Sequence, residues 1–226
     1  MGKSELKKYL FTIINLFIFV TTAIAVPITL LVGSRSTRLD GGDIPYWQHI
    51  ATFTILSNIF LGIVALILAI LNVTKKDKFP NSTQLNWYLA ATSAGLVTFF
   101  TVILFLAPMR AMHGKNYFDM IVETMFFLHF LNPILAAIAF IFFTGNHPIN
   151  LKSRLLATLP VFFYAIPYFL NVVIFKIWPD FYGLTFGGKY FLLPLVFAAF
   201  ILLVFGIASL LVFLRRKAKQ TSSIKT

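Results

Sequence analysis

Residues 191–214 read FLLPLVFAAFILLVFGIASLLVFL, and residues 215–219 read RRKAK. The first stretch carries no charge. About 20 apolar residues are enough to take one helix across a typical hydrocarbon core. A basic cluster directly after such a run marks where it leaves the membrane. The same pattern recurs along the 226 residues, 59% of which are hydrophobic and only 12% charged, with a mean hydropathy of +0.87. A soluble domain needs more charge than this to cover its surface. The reading is an all-α protein, a six-transmembrane-helix bundle. Its helices are expected at about 9–33, 46–73, 85–107, 117–143, 153–176 and 189–214. Short tails at 1–8 and 215–226 flank the bundle, and no stretch remains for a separate soluble domain.

The first run follows Lys3, Lys7 and Lys8, and Ala23-Ile24-Ala25 resembles a signal-peptide cleavage site. The apolar stretch continues past it through Leu30, Leu31 and Val32, which is too long for a signal peptide, so a retained span is expected. Lys and Arg residues set the orientation. One side collects the N-terminal lysines, Lys75, Lys76, Lys78, Lys152, Arg154 and the basic C-terminal tail. The other holds Arg35, Arg38, Arg110, Lys115, Lys176 and Lys189. The richer side is expected to be cytoplasmic, with both termini there. The net charge of +12 sits beside apolar runs, where anionic head groups attract it. It therefore points to membrane lipids as partners and not to nucleic acid. The chain has no cysteine, which excludes disulfides, iron–sulfur clusters and a cysteine nucleophile.

Prolines at 27, 133, 160, 167 and 194 fall inside the expected spans and are expected to kink them. The spans at 46–73 and 85–107 are expected to contain none. A three-plus-three internal repeat is compatible with Pro27 and Pro133, but no matching sequence accompanies them.

A polar side chain in hydrocarbon costs energy unless paired, so those within spans mark where function is sought first. Thr54, Ser57 and Asn58 are spaced to share one helix face, continued by Gly62 and Ala65. Such a face also serves close helix packing. His129 stands in the run FFLHFLNP with Asn132 on its face. A buried histidine is often structural, yet an ionisable group among phenylalanines in a span is a functional candidate. Counted from Pro45 and Tyr117, Thr54 and His129 lie roughly 13 and 18 Å along their helices, at one level within boundary error. A hydroxyl and an imidazole that meet there satisfy the minimum geometry for a base-activated nucleophile.

At these two motifs the sequence resembles a known family. FTILSNIF, residues 53–60, is similar to the FT-x-x-SN signature of bacterial six-pass membrane proteins, and LHFLNP, residues 128–133, to their LH-x-x-x-P segment. The loop around Trp178-Pro179-Asp180-Phe181-Tyr182 is only loosely similar to an aromatic–proline segment of the same family and departs from its pattern. Those proteins are related to the eukaryotic androgen-induced and androgen-dependent membrane proteins, threonine hydrolases of fatty acid esters of hydroxy fatty acids. The resemblance implies Thr54 as catalytic nucleophile, His129 as its base, a lipid ester as substrate, and a bacterial plasma membrane as location. It calls for no cofactor. Ser57, Asn58 and Asn132 are the expected substrate or oxyanion contacts. Glu123 lies about 120° round the helix from His129 and shares a face with Asp119, so a two-residue centre is expected rather than a triad.

His49, His113, His129 and His147 include no pair at the spacing of a helical zinc site, and no metal is expected. Two other classes stay open: a non-catalytic membrane scaffold, in which Thr54 and His129 are structural, and a small-molecule transporter.

Overall fold

A helix in hydrocarbon satisfies every backbone polar group internally, so each long apolar run folds as one. The computed structural model describes residues 2–32, 46–74, 80–145 and 147–223. It contains six helices long and apolar enough to span a membrane, and no strand occurs among the described residues. The chain is a multi-pass integral membrane protein. The spans are α1 (Lys3–Val32), α2 (Phe53–Thr74), α3 (Ser82–Met112), α4 (Phe126–Phe143), α5 (Leu151–Ile174) and α6 (Leu193–Ser223). Lys75, Lys76, Lys78, Arg35 and Arg38, used above for orientation, lie outside the described residues.

Helix α3 forms the centre of the bundle. Leu85 and the whole stretch from Tyr88 to Thr98 are buried. That stretch is rich in Ala, Ser, Thr and Gly, because lipid-facing positions must be apolar whereas an interior one needs only to pack. Helix α6, by contrast, turns Leu195, Leu202 and Leu210 outward. Small residues set the closest approaches. A Cβ on Gly62 of α2 would stand 3.1 Å from Thr22 Cγ2 of α1, which brings these two helices together.

Both ends of the chain lie on one side of the bundle. There Asn72 of α2 donates to the Lys8 carbonyl (2.9 Å) and to Thr12 Oγ1 (2.8 Å) of α1. Asn81 and Gln84 form a reciprocal cap on α3. Arg215 of α6, buried, donates to Thr144 Oγ1 (2.8 Å) and to the carbonyls of His147 (3.1 Å) and Gly145 past the end of α4.

The opposite side departs from regular helix, and here the expected boundaries need correction. Residues 46–51 form a 3-10 turn, so α2 begins at Phe53. Residues 117–121 form another, and α4 begins only at Phe126, after Glu123 with φ 56°. Helix α3 runs on to Met112 and so contains Pro108, although the sequence reading left that span free of proline. Of the five prolines expected to kink, Pro160 and Pro194 instead stand in first turns, Pro160 of a segment restarting at Leu159 and Pro194 of α6. A missing N–H costs nothing there. Pro27 lies within an unbroken helix. Three π turns gather on this side, at 102–106, 126–131 and 170–174. Two directly precede Pro108 and Pro133, where the ring displaces the carbonyl four residues back. In place of the usual ladder, the Ala107 amide reaches Val102 and the Asn132 amide reaches Phe127. The third follows Pro167, whose carbonyl accepts from the Asn171 side chain at 2.8 Å.

Candidate active site

Thr54 occupies the first turn of α2, at the irregular side of the bundle. The backbone amides of a helix's first turn have no partner within the helix. Here the Phe53 amide donates to the phenol oxygen of Tyr182 at 2.7 Å, and the amide and hydroxyl of Thr54 approach the same oxygen. Tyr182 belongs to the loop after α5. Burial pushes its phenol up to about 12, against the hydrogen bonds it accepts. Tyr164 of α5 donates to the Ala51 carbonyl at 3.0 Å and closes the other side. Thr54, Thr98, Thr101, Tyr164 and Tyr182 line a cavity of about 50 Å³ whose remaining walls are aliphatic or phenyl. One water fills roughly 10–15 Å³ on this measure, so the space admits a few small groups.

Asp180 holds the Tyr182 loop in shape. Its carboxylate accepts from the Tyr168 hydroxyl and from the amides of Leu184 (2.9 Å) and Thr185 (2.8 Å). Burial raises the Asp180 carboxyl, but these hydrogen bonds outweigh it and hold it below its ordinary value. The Tyr168 and Tyr182 rings stack at 6.0 Å.

His129 sits in the π turn before Pro133, with only 3% of its surface exposed. Its Nδ1 lies 2.5 Å from the Met120 carbonyl. A carbonyl only accepts, so Nδ1 carries the proton and Nε2 keeps its lone pair. The 3-10 turn at 117–121 thus orients the ring. Glu123 is exposed on the left-handed bend. Asp119 pairs with buried Arg110 of α3 at 3.6 Å.

Thr54 and His129 are carried by adjoining backbone. The Asn58 amide nitrogen donates to the Thr54 carbonyl and to the Leu128 carbonyl, both at 2.9 Å. Measured from Phe53 and Phe126, where the spans start, Thr54 and His129 lie roughly 2 and 5 Å in, at 1.5 Å per residue. They lie within about one helical turn of each other in level, close to the starts of their helices. Among the described residues, no hydrogen bond joins the Thr54 hydroxyl to His129.

The expected oxyanion contacts are engaged elsewhere. Asn58 spends its donors on the two carbonyls just named. Ser57 lies 3.1 Å from the Thr54 carbonyl and 3.0 Å from Thr98 Oγ1. Asn132 ties α4 to α1 through Thr21 (2.8 Å) and Thr22 (3.1 Å). Sequence reasoning did not single out Tyr182, Tyr164 or the Met120 carbonyl. The aromatic–proline loop was the one available signal for Tyr182.

His49 is buried outside the spans, and burial lowers its pKa. His113 Nδ1 lies 2.8 Å from the Met109 carbonyl. Among the described residues no three His, Asp or Glu side chains converge on a metal site. No family model, curated protein or solved structure matches the chain.

Proposed function

We propose that the protein is an intramembrane hydrolase of lipid esters, with Thr54 as nucleophile and His129 as its base. The observation that carries this reading is the tautomer of His129. His129 Nδ1–H donates to the Met120 carbonyl, which leaves the Nε2 lone pair available as a base. This is the orienting role that a third residue plays in a hydrolytic triad, supplied here by backbone. In the reaction His129 takes the Thr54 proton as the hydroxyl attacks the ester carbonyl. It then protonates the leaving alkoxide, and water releases the acyl group from Thr54. Hydrogen bonds of this kind tighten when substrate binds, and the pair closes at that step. The Tyr182 phenol accepts from the Phe53 amide and lies against the hydroxyls of Tyr164 and Thr54; in the reaction its proton turns from them to an oxyanion in the small cavity. In such dry surroundings one donor is worth about 3 kcal/mol.

Labelling of the purified protein in detergent by a fluorophosphonate probe tests the reading. Wild type is expected to label and Thr54→Ser to label more slowly. Thr54→Ala and His129→Ala are expected to stay dark while remaining monodisperse. A folded wild type that does not label sinks the hydrolase reading and leaves a protein that binds lipid without cleaving it.

A further inference from the structure

Helices α2, α3 and α5 stand apart on one flank and leave a cleft of about 800 Å³, within the roughly 300–1,000 Å³ of ligand pockets. Most of its polar groups collect at the end nearer the chain termini, with Ser57 and Tyr164 farther in. Ser82, Thr83 and Asn86 come from the start of α3, and Lys152 and Ser153 from the start of α5. The far end is built of Phe53, Leu56, Phe163 and Pro167. Lys152 is exposed and, among the described residues, carries the one formal charge in the lining. Trp87 and Phe163, 57% and 62% exposed, form lips that open sideways to lipid. From Lys152 to Pro167 the cleft runs roughly 20 Å along α5, whereas half of the hydrocarbon core is only about 15 Å. It therefore reaches beyond the leaflet in which its polar end sits. Its deep end shares Phe53 and Tyr164 with the Thr54 cavity.

A polar mouth at head-group level, one cation with no acid in the lining, and an apolar trough behind it are complementary to an anionic amphiphile. We propose that the cleft is a binding site for an anionic phospholipid. Its phosphate lies at Lys152 with the hydroxyls of Ser82 and Thr83, and one acyl chain lies along Leu56 and Phe163 toward Phe53. Binding there requires no turnover at Thr54, although the deep end of the cleft adjoins that cavity.

The test uses the full chain carrying Trp47→Phe and Trp178→Phe, which leaves Trp87 as the one fluorophore at the lip. The protein is reconstituted in phosphatidylcholine vesicles with increasing dibrominated phosphatidylglycerol or, separately, dibrominated phosphatidylcholine. A lysine near the membrane surface favours an anionic lipid by about five-fold, so brominated phosphatidylglycerol is expected to quench Trp87 with about that relative advantage. Lys152→Gln is expected to bring the ratio to near one, and Lys152→Arg to keep it. Ala90→Leu, which fills the cleft, is expected to reduce quenching by both lipids. Equal association of the two lipids in the parent protein overturns the proposal, as does an undiminished preference in Lys152→Gln. Stronger quenching by brominated oleate than by phosphatidylglycerol overturns the phosphate assignment. Trp87 emission in unbrominated vesicles reports the fold of each variant.

Discussion

The two sides of this bundle are built in opposite ways. On the side of the termini, regular helices end in long side chains that bind loose carbonyls. Arg215 gathers Thr144, Gly145 and His147, Arg216 donates to Ile149 at 3.0 Å, and Asn72 ties α2 to α1. On the other side the ladder itself is broken, with three π turns, two 3-10 turns before α2 and α4, and left-handed residues at Glu123, Lys176 and Phe186. The candidate site lies wholly on that second side. Pairing these carbonyls at one end fixes the helices relative to each other. Irregular backbone at the other end then aims Thr54, His129 and Tyr182 without loosening the whole. Such turns recur at functional sites because they rotate a side chain off the helical register.

If the termini side is the clamp, breaking it has the largest effect on stability. Arg215→Ala leaves the His147 carbonyl and the Thr144 hydroxyl oxygen without this donor, while the Gly145 carbonyl keeps Lys219. Each such loss costs about 1–3 kcal/mol, so a total of about 3 kcal/mol is expected. The melting transition in detergent, followed by near-ultraviolet circular dichroism, is expected to fall accordingly. The folded fraction is expected to label with the probe as wild type does. A variant that melts normally removes the clamp from the account.

A smaller loss is expected at the irregular side from Tyr168→Phe. The Asp180 carboxylate then loses a charge-assisted hydrogen bond, worth about 2 kcal/mol. Because Asp180 and the Tyr168 ring shape the Tyr182 loop, labelling is expected to slow as well, which Arg215→Ala does not do. The pH dependence follows in sign. Hydrogen bonds hold the folded Asp180 carboxyl below its ordinary value. The stabilisation is therefore complete above the unfolded carboxylate range and is lost as pH falls through the folded value. Wild type is expected to lose stability on acidification more steeply than Tyr168→Phe, and equal acid slopes break the assignment.

The same contrast explains what was legible in the sequence. The regular parts were: six apolar runs, the small-residue face at Gly62, and basic residues at the helix ends all carry local signals. The turns at 46–51 and 117–121 were read as helix because YWQHIA and YFDMI are apolar enough to extend the spans. What stops them is specific pairing. Thr52 folds back on the His49 carbonyl at 2.7 Å, and Asn116 caps Phe118 at 3.0 Å. At the site, Thr54 and His129 stood out as polar residues in apolar runs and through the family resemblance. Tyr182 reaches Phe53 across 129 positions of sequence, and a carbonyl such as that of Met120 has no letter of its own. Helical spacing groups Asn58 with Thr54 and Asn132 with His129, but a face does not reveal which partner a donor finds.

Pro133→Ala sharpens the comparison most finely, because it separates aim from stability. The proline removes the amide that would bond the His129 carbonyl, and its ring pushes that carbonyl aside. The π turn at 126–131 absorbs the displacement. Alanine restores the amide, and the turn is free to close into ordinary helix. Gaining one backbone hydrogen bond while losing the ring's packing toward Gly95 leaves stability within about 1 kcal/mol. Closing a π turn shifts the register of every residue before it, however, and swings His129 away from the Met120 carbonyl and from the turn that bears Thr54. Near-normal melting with strongly reduced labelling is therefore expected. If labelling survives, the π turn does not aim His129, and the irregular side loses its claim to be more than the consequence of its prolines.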